Sequence, residues 1–115
     1  MTPAERKVMD RFIVDLRARY GARLHDVLIF GSRARGDARS DSDFDIAVIL
    51  EDGDWRFWAE KMVMADLAYD ALVEHGMYLQ CWPLARTAWE RPHTSDRRRF
   101  LEAIRREGRS LLEAA

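Results

Sequence analysis

Gly31-Ser32-Arg33-Ala34-Arg35-Gly36-Asp37-Ala38-Arg39-Ser40-Asp41-Ser42-Asp43-Phe44-Asp45 lies between two short apolar runs, Val27 to Phe30 and Ile46 to Leu50, both of which read as strands. A strand that ends in Gly-Ser and turns at once into a helix leaves backbone N–H groups and a hydroxyl pointing beyond the strand end. That setting suits phosphate oxygens. A Cβ at Gly31 would hold a phosphate away. Residues two apart on a strand project to one face, so Asp43 and Asp45 are expected side by side, within reach of one hydrated Mg²⁺, with Phe44 turned to the core. A magnesium nucleoside triphosphate would then bridge the two halves. The plainer alternative is a polar connection in which Gly and Asp serve as turn formers and Asp-x-Asp merely opens a strand. The four fixed positions coincide by chance roughly once in 10⁵ starting points, and here both halves also fall at strand ends, which favours the site.

The same residues resemble the signature of the minimal nucleotidyltransferases of the DNA polymerase β superfamily, the MntA-like antitoxins encoded beside HEPN-domain toxins. The likeness is close from about Val27 to Leu50; elsewhere it rests on length, element order and a terminal Ile104-Arg105-Arg106-Glu107-Gly108 stretch. The resemblance implies a polymerase β-like α/β (α+β) fold with a small mixed sheet of about three strands flanked by helices. It also implies ATP-dependent transfer of AMP to a tyrosine of a partner HEPN ribonuclease toxin, which is thereby neutralised. In that family setting Gly31 and Ser32 would hold the β and γ phosphates, and Asp43 and Asp45 would be the catalytic Mg²⁺ ligands. Arg33 and Arg35 flank the phosphate site closely enough to neutralise a triphosphate, Arg39 less so; the alternative for all three is a solvated loop. One departure stands out. The superfamily usually carries a third carboxylate on the strand after the long helix, but Met77-Tyr78-Leu79-Gln80-Cys81-Trp82 contains no acid. Gln80 is the polar side chain at its centre, and a neutral amide supplies neither metal-holding charge nor a base. Glu74, the nearest acid before it, belongs by pattern to the preceding helix.

Composition bounds the remaining possibilities. A chain of 115 residues is expected to form a single domain, 1–115, with one core and no separate acceptor-binding domain, so the acceptor would come from elsewhere. Nineteen basic and 20 acidic residues leave a net charge of −1, which argues against a generic nucleic-acid or membrane binder. Cys81 is the single cysteine and lies among apolar residues, so an internal disulfide and a cysteine-based zinc site are excluded. No signal-type or membrane-spanning apolar run is present. A soluble, unprocessed cytoplasmic protein is the expectation.

Along the chain, Thr2-Pro3-Ala4-Glu5 forms a capping box with Pro at the first helical position, followed by Val8, Met9, Phe12, Ile13 and Leu16 at helical spacing and Gly21 as the stop. After strand one, a short helix is expected from Ser32 to about Arg35, then strand two from Asp43 to Leu50. The next helix, about Asp54 to Glu74, carries two apolar stripes. One is Trp55, Trp58, Met62, Ala65, Tyr69, Leu72 and Val73; the other is Phe57, Met64, Ala68 and Ala71, with Lys61 between them. An arc this wide exceeds what packing on a sheet needs, so either a second helix covers it or a partner does. The partner surface is expected around Phe57 and Met64, or at Trp55 and Trp89. The third strand should end at Pro83, residues 84 to 95 form a connection with a helical turn, and Thr94 or Ser95 caps a last helix with Phe100, Leu101, Ile104, Leu111 and Leu112 inward.

Other polar groups have plain readings. Arg97-Arg98-Arg99 with Arg105, Arg106 and Arg109 reads as a solvated face in a chain whose preferred cation is Arg, 17 against two Lys. His25, His75 and His93 are isolated, and Asp37 and Asp41 read as turn formers. Three functions stay open: a protein-directed nucleotidyltransferase, a nucleotidyltransferase-fold antitoxin that only masks its toxin, and a transferase acting on a small molecule such as an aminoglycoside.

Overall fold

The computed structural model describes residues 1–39 and 41–112. Helix α1 (Pro3–Tyr20) opens on the expected capping box: the Thr2 hydroxyl accepts from the Glu5 N–H at 3.1 Å and the Glu5 carboxylate accepts from the Thr2 N–H at 2.8 Å. Its buried side chains, Met9, Phe12, Ile13, Leu16 and Tyr20, follow the apolar spacing of the sequence, and Gly21 ends it. Strand β1 (Leu24–Phe30), the one-turn helix α2 (Ser32–Arg35) and strand β2 (Phe44–Leu50) follow.

Four strands form a mixed sheet in the order β3-β2-β1-β4. β1 and β2 are antiparallel, β3 (Leu79–Ala85) runs parallel to β2, and the two-residue β4 (Arg109–Ser110) closes the far edge antiparallel to β1. The fold class is as the motif and its resemblance implied, with one strand more. β4 arises because the last helix, α6 (Arg98–Glu107), stops at Gly108, so Leu111 and Leu112 reach the core from a strand-and-turn segment and not from a helix.

Alternation along β2 sorts the two faces. Phe44, Ile46, Val48 and Leu50 join α1 and the long helical segment in one core, whereas Ala47 and Ile49 join Leu28, Phe30, Leu84, Leu101 and Ile104 under α6. Asp45 shares this second face by period two.

Two expectations are corrected. β3 does not stop at Pro83 but continues to Ala85, because β3 is an edge strand and a missing N–H is tolerated where it faces away from the ladder. The helical segment, α3 (Phe57–Leu67) joined at Ala68 to α4 (Tyr69–His75), is rotated opposite to the expected partner surface. Met64, Ala68 and Ala71 are buried against the sheet, while Trp58, Met62, Tyr69, Leu72 and Val73 are exposed, Trp58 by 69 %. Lys61 fixes that rotation: its ammonium donates to the Cys81 carbonyl on the edge of β3 at 2.6 Å and lies 4.1 Å from the centre of the Trp82 ring. Trp55 and Trp89 are half-buried against the cores, and Phe57 lies under the Arg97 guanidinium at 4.5 Å, so none of the three is a free anchor. The connection after β3 holds α5 (Arg86–Glu90) and a single 3₁₀ turn at Pro92–Thr94.

Candidate active site

The end of β1 creates the site's first element. Gly31 takes φ 73° and ψ −155°, a conformation essentially confined to glycine, and this bend swings the chain from β1 into α2. A Cβ there would stand 2.5 Å from Asp45 Oδ2, so the acidic side chain lies directly against the Gly31 backbone. Phe30 pairs with Asp45 across the antiparallel ladder, which sets this contact by register. Asp43 precedes β2 by one residue and is exposed; Asp45 is half-buried. Burial first and the neighbouring Asp43 charge second push the Asp45 carboxyl above its ordinary range; Arg35 opposes the shift and Glu107 adds to it.

A divalent cation fits this donor set. Two adjacent carboxylates, one of them held in a partly desolvated, self-repelling state, gain from a shared positive charge, and Mg²⁺ is commonly held by one or two carboxylates together with substrate phosphates. Among the described residues no group of three or more His, Cys, Asp or Glu is arranged to hold a metal ion by protein atoms alone. Asp43 and Asp45 are the carboxylates that would hold such a cation, together with the phosphates of a bound nucleotide.

The two arginines part company. Arg33 turns to the α1 side: its Nη2 donates to the Ser42 carbonyl at 2.8 Å, its Nη1 lies 3.5 Å from Glu5 Oε2, and its guanidinium stacks 4.0 Å from the Phe44 ring centre. Its visible work is to tie the polar loop before β2 to the core. Arg35 instead lies on the carboxylate side, with Nε 3.2 Å from Asp37 Oδ2 and Nη1 3.1 Å from Glu107 Oε2. Gly31, Ser32, Arg33, Arg35, Asp43 and Asp45 all lie at one end of the β1–β2 pair, with the Arg33 guanidinium on the Phe44 face of the sheet, opposite to Asp45. Asp37, expected as a turn former, is an arginine partner. Glu107 lies in the terminal stretch that shares in the family resemblance, but sequence reasoning gave it no part in the site, since nothing in local spacing ties a residue of the last helix to the Gly31 turn.

Gln80 stands on β3, the strand on which the resemblance led one to expect a third carboxylate. It pairs with Asp45 in the parallel β2–β3 ladder, and parallel partners share a face. Glu74 lies on exposed α4, as its pattern indicated.

Residues 18–77, more than half of the chain, match the family model described as polymerase beta, nucleotidyltransferase. The chain belongs to the polymerase β nucleotidyltransferases. This nucleotidyltransferase is 32 % identical over 75 residues to a Methanocaldococcus jannaschii protein that bears the name protein adenylyltransferase, an alignment covering 65 % of this chain and 68 % of the other. Its fold is similar to that of a toxin–antitoxin solved with AMP-PNP (TM-score 0.52, 19 % identity, 90 % of this chain and 72 % of that one). A Sulfolobus solfataricus nucleotidyltransferase (TM-score 0.51, 24 % identity, 75 % and 71 %) and a mutant of the toxin–antitoxin MntA–HpeT (TM-score 0.54, 16 % identity, 89 % and 71 %) share it as well. The family match spans the Gly31 turn and both aspartates but ends before Gln80 and Glu107.

Proposed function

We propose that this nucleotidyltransferase moves AMP from Mg-ATP to a tyrosine of a HEPN-type ribonuclease toxin in the cytoplasm and so silences it. The observation that supports this reading is the Asp45 carboxylate seated against the backbone of the Gly31 turn, so that a cation on the acid and a phosphate on the turn would adjoin. The relative named as a protein adenylyltransferase supports a protein acceptor, and the toxin–antitoxin neighbours of the same fold support a toxin as that acceptor. No helix among the described residues is long and apolar enough to cross a membrane.

In this reading Gly31 and Ser32 receive the β and γ phosphates, Arg35 offers them guanidinium N–H groups, and Asp43 and Asp45 would hold Mg²⁺. Bound there, Mg²⁺ would offset the charge of the phosphates. The tyrosine oxygen attacks the α phosphorus in line, the bond from that phosphorus to the bridging oxygen breaks, and pyrophosphate leaves. The new bond is a phosphodiester between the phenol and AMP. Gln80 cannot take the phenolic proton, so the proton passes to water or to a group brought by the acceptor.

That amide also favours a second reading, an antitoxin that binds its toxin without modifying it. ATP labelled at the α phosphate, incubated with the chain and its toxin, decides between them. Label on a toxin tyrosine, abolished by Asp45→Asn, supports transfer. No label from any nucleotide, with full neutralisation by the Asp43→Asn, Asp45→Asn double variant, leaves masking alone.

A further inference from the structure

Arg35 closes the α2 turn that begins at Gly31, and its position is set from far along the chain. Its side chain springs from α2, four residues bounded by Gly31 and Gly36, a segment with little packing of its own beyond Ala34. A long side chain on such a support would ordinarily be free to wander, and ordering a side chain of this kind on binding costs affinity. Here two carboxylates hold it, Asp37 from the following loop and Glu107 from the end of α6. They engage two of the five guanidinium N–H donors, Nε and one of Nη1, and leave three for a ligand.

The attachment of Glu107 is rigid. Ile104 and Leu101 bury the helix against the sheet, and at Gly108 the chain turns so tightly that a Cβ would stand 2.5 Å from the Ile104 carbonyl oxygen. Beyond it Arg109 and Ser110 pair with Ile29 and Leu28, the Ser110 hydroxyl donates to Asp26 Oδ1 at 2.7 Å, and the Leu111 N–H donates to the Val27 carbonyl at 2.7 Å. Glu107 is therefore pinned from both sides, and its side chain is only 28 % exposed where it meets Arg35. The pair sits on the α2 turn whose leading residue, Gly31, lies against the Asp45 carboxylate, so it shares that end of the sheet with the acids.

We propose that Glu107 is a positioning residue of the nucleotide site, holding the Arg35 guanidinium with three N–H donors directed to the triphosphate of the incoming nucleotide. It rests on the nucleotidyl-transfer reading and adds to it a residue that lies outside the motif. An ion pair at this exposure contributes little to global stability. Its consequence is to preorganise Arg35 before nucleotide arrives.

The test is calorimetric titration of Mg-ATP into the full chain and into Glu107→Gln, Glu107→Asp, Arg35→Gln and the Glu107→Gln, Arg35→Gln double variant, with thermal melting of each alongside. Glu107→Gln should weaken Mg-ATP by about 3- to 10-fold with little change in melting, the size expected for one side chain newly left to be ordered. Glu107→Asp should retain most of the affinity. In the Arg35→Gln background the further loss of Glu107 should change affinity by less than about twofold, the non-additivity of residues acting as a unit. In AMP transfer the KM for ATP should rise while kcat stays within about twofold. Unchanged or tighter binding by Glu107→Gln, or an undiminished loss when Arg35 is already gone, overturns the assignment and leaves the transfer reading standing. A wild-type chain that binds no magnesium nucleoside triphosphate removes that reading, and this assignment with it.

Discussion

A methyl group at residue 31 would collide with the Asp45 carboxylate at 2.5 Å, and it would also be held at φ 73°, ψ −155°, a region essentially closed to L side chains. Gly31→Ala should therefore cost about 1–3 kcal/mol from backbone strain alone, lowering Tm by at least about 4 °C, and should displace Asp45 and impair Mg-ATP binding. Normal stability and affinity in that variant would contradict the close approach. Asp45 yields the opposite sign. Burial and the Asp43 charge raise its carboxyl above the ordinary range in the folded state, so the native chain binds more protons than the unfolded one between the two values, and stability falls as pH rises through that window. Without metal at neutral pH, Asp45→Asn should melt slightly above wild type while losing Mg-ATP binding, a cost in stability accepted for function. In the wild type, Mg-ATP affinity should decline on acidification from a pH higher than an ordinary aspartate would require. A metal-free Asp45→Asn melting below wild type would rule out this account of the shift.

Elements show where local pattern suffices and where it does not. The capping box, the Gly21 stop and the buried spacing of α1 were legible because each depends on residues within a few positions. The same holds for the Gly31 turn, set by the strand end, and for the face taken by Asp45, set by period two, whereas Asp43 stands one residue ahead of β2. The α3–α4 segment is apolar over too wide an arc for its sequence to say which stripe faces in; the decision comes from Lys61 reaching the β3 edge, a tertiary contact 20 residues away. The resulting rotation separates neighbouring methionines. Met64 is fully buried and Met62 is 64 % exposed. Met64→Glu should prevent folding or cost several kcal/mol, because a carboxylate would enter an apolar core, whereas Met62→Glu should change stability by no more than about 0.5 kcal/mol. Urea denaturation of both compares them directly, and equal losses would place both methionines in the core.

Topology decides what no local segment could. The parallel crossover from β2 to β3 brings residue 80 into register with residue 45, and the return of α6 to the β1 edge brings Glu107 to Arg35, so the composition of the site depends on pairings across the whole sheet. The sequence did reveal that the candidate strand has no acid; only the register makes Gln80 the partner of Asp45. That pairing carries a test of its own. Gln80→Asp would place a carboxylate on the same face and in register with Asp45, with Asp43 nearby, in the arrangement that completes a three-acid site. Like charges opposite one another on a sheet cost about 0.2–1 kcal/mol, so the metal-free variant should melt lower by about 1–6 °C. Added Mg²⁺ should reverse the deficit, because a third acid attracts the cation that relieves the repulsion, and the magnesium-induced rise in Tm should exceed that of the wild type. Thermal melts with and without Mg²⁺ read both quantities. A Gln80→Asp chain that melts like the wild type and responds no more strongly to Mg²⁺ would mean that residue 80 does not face the acid pair.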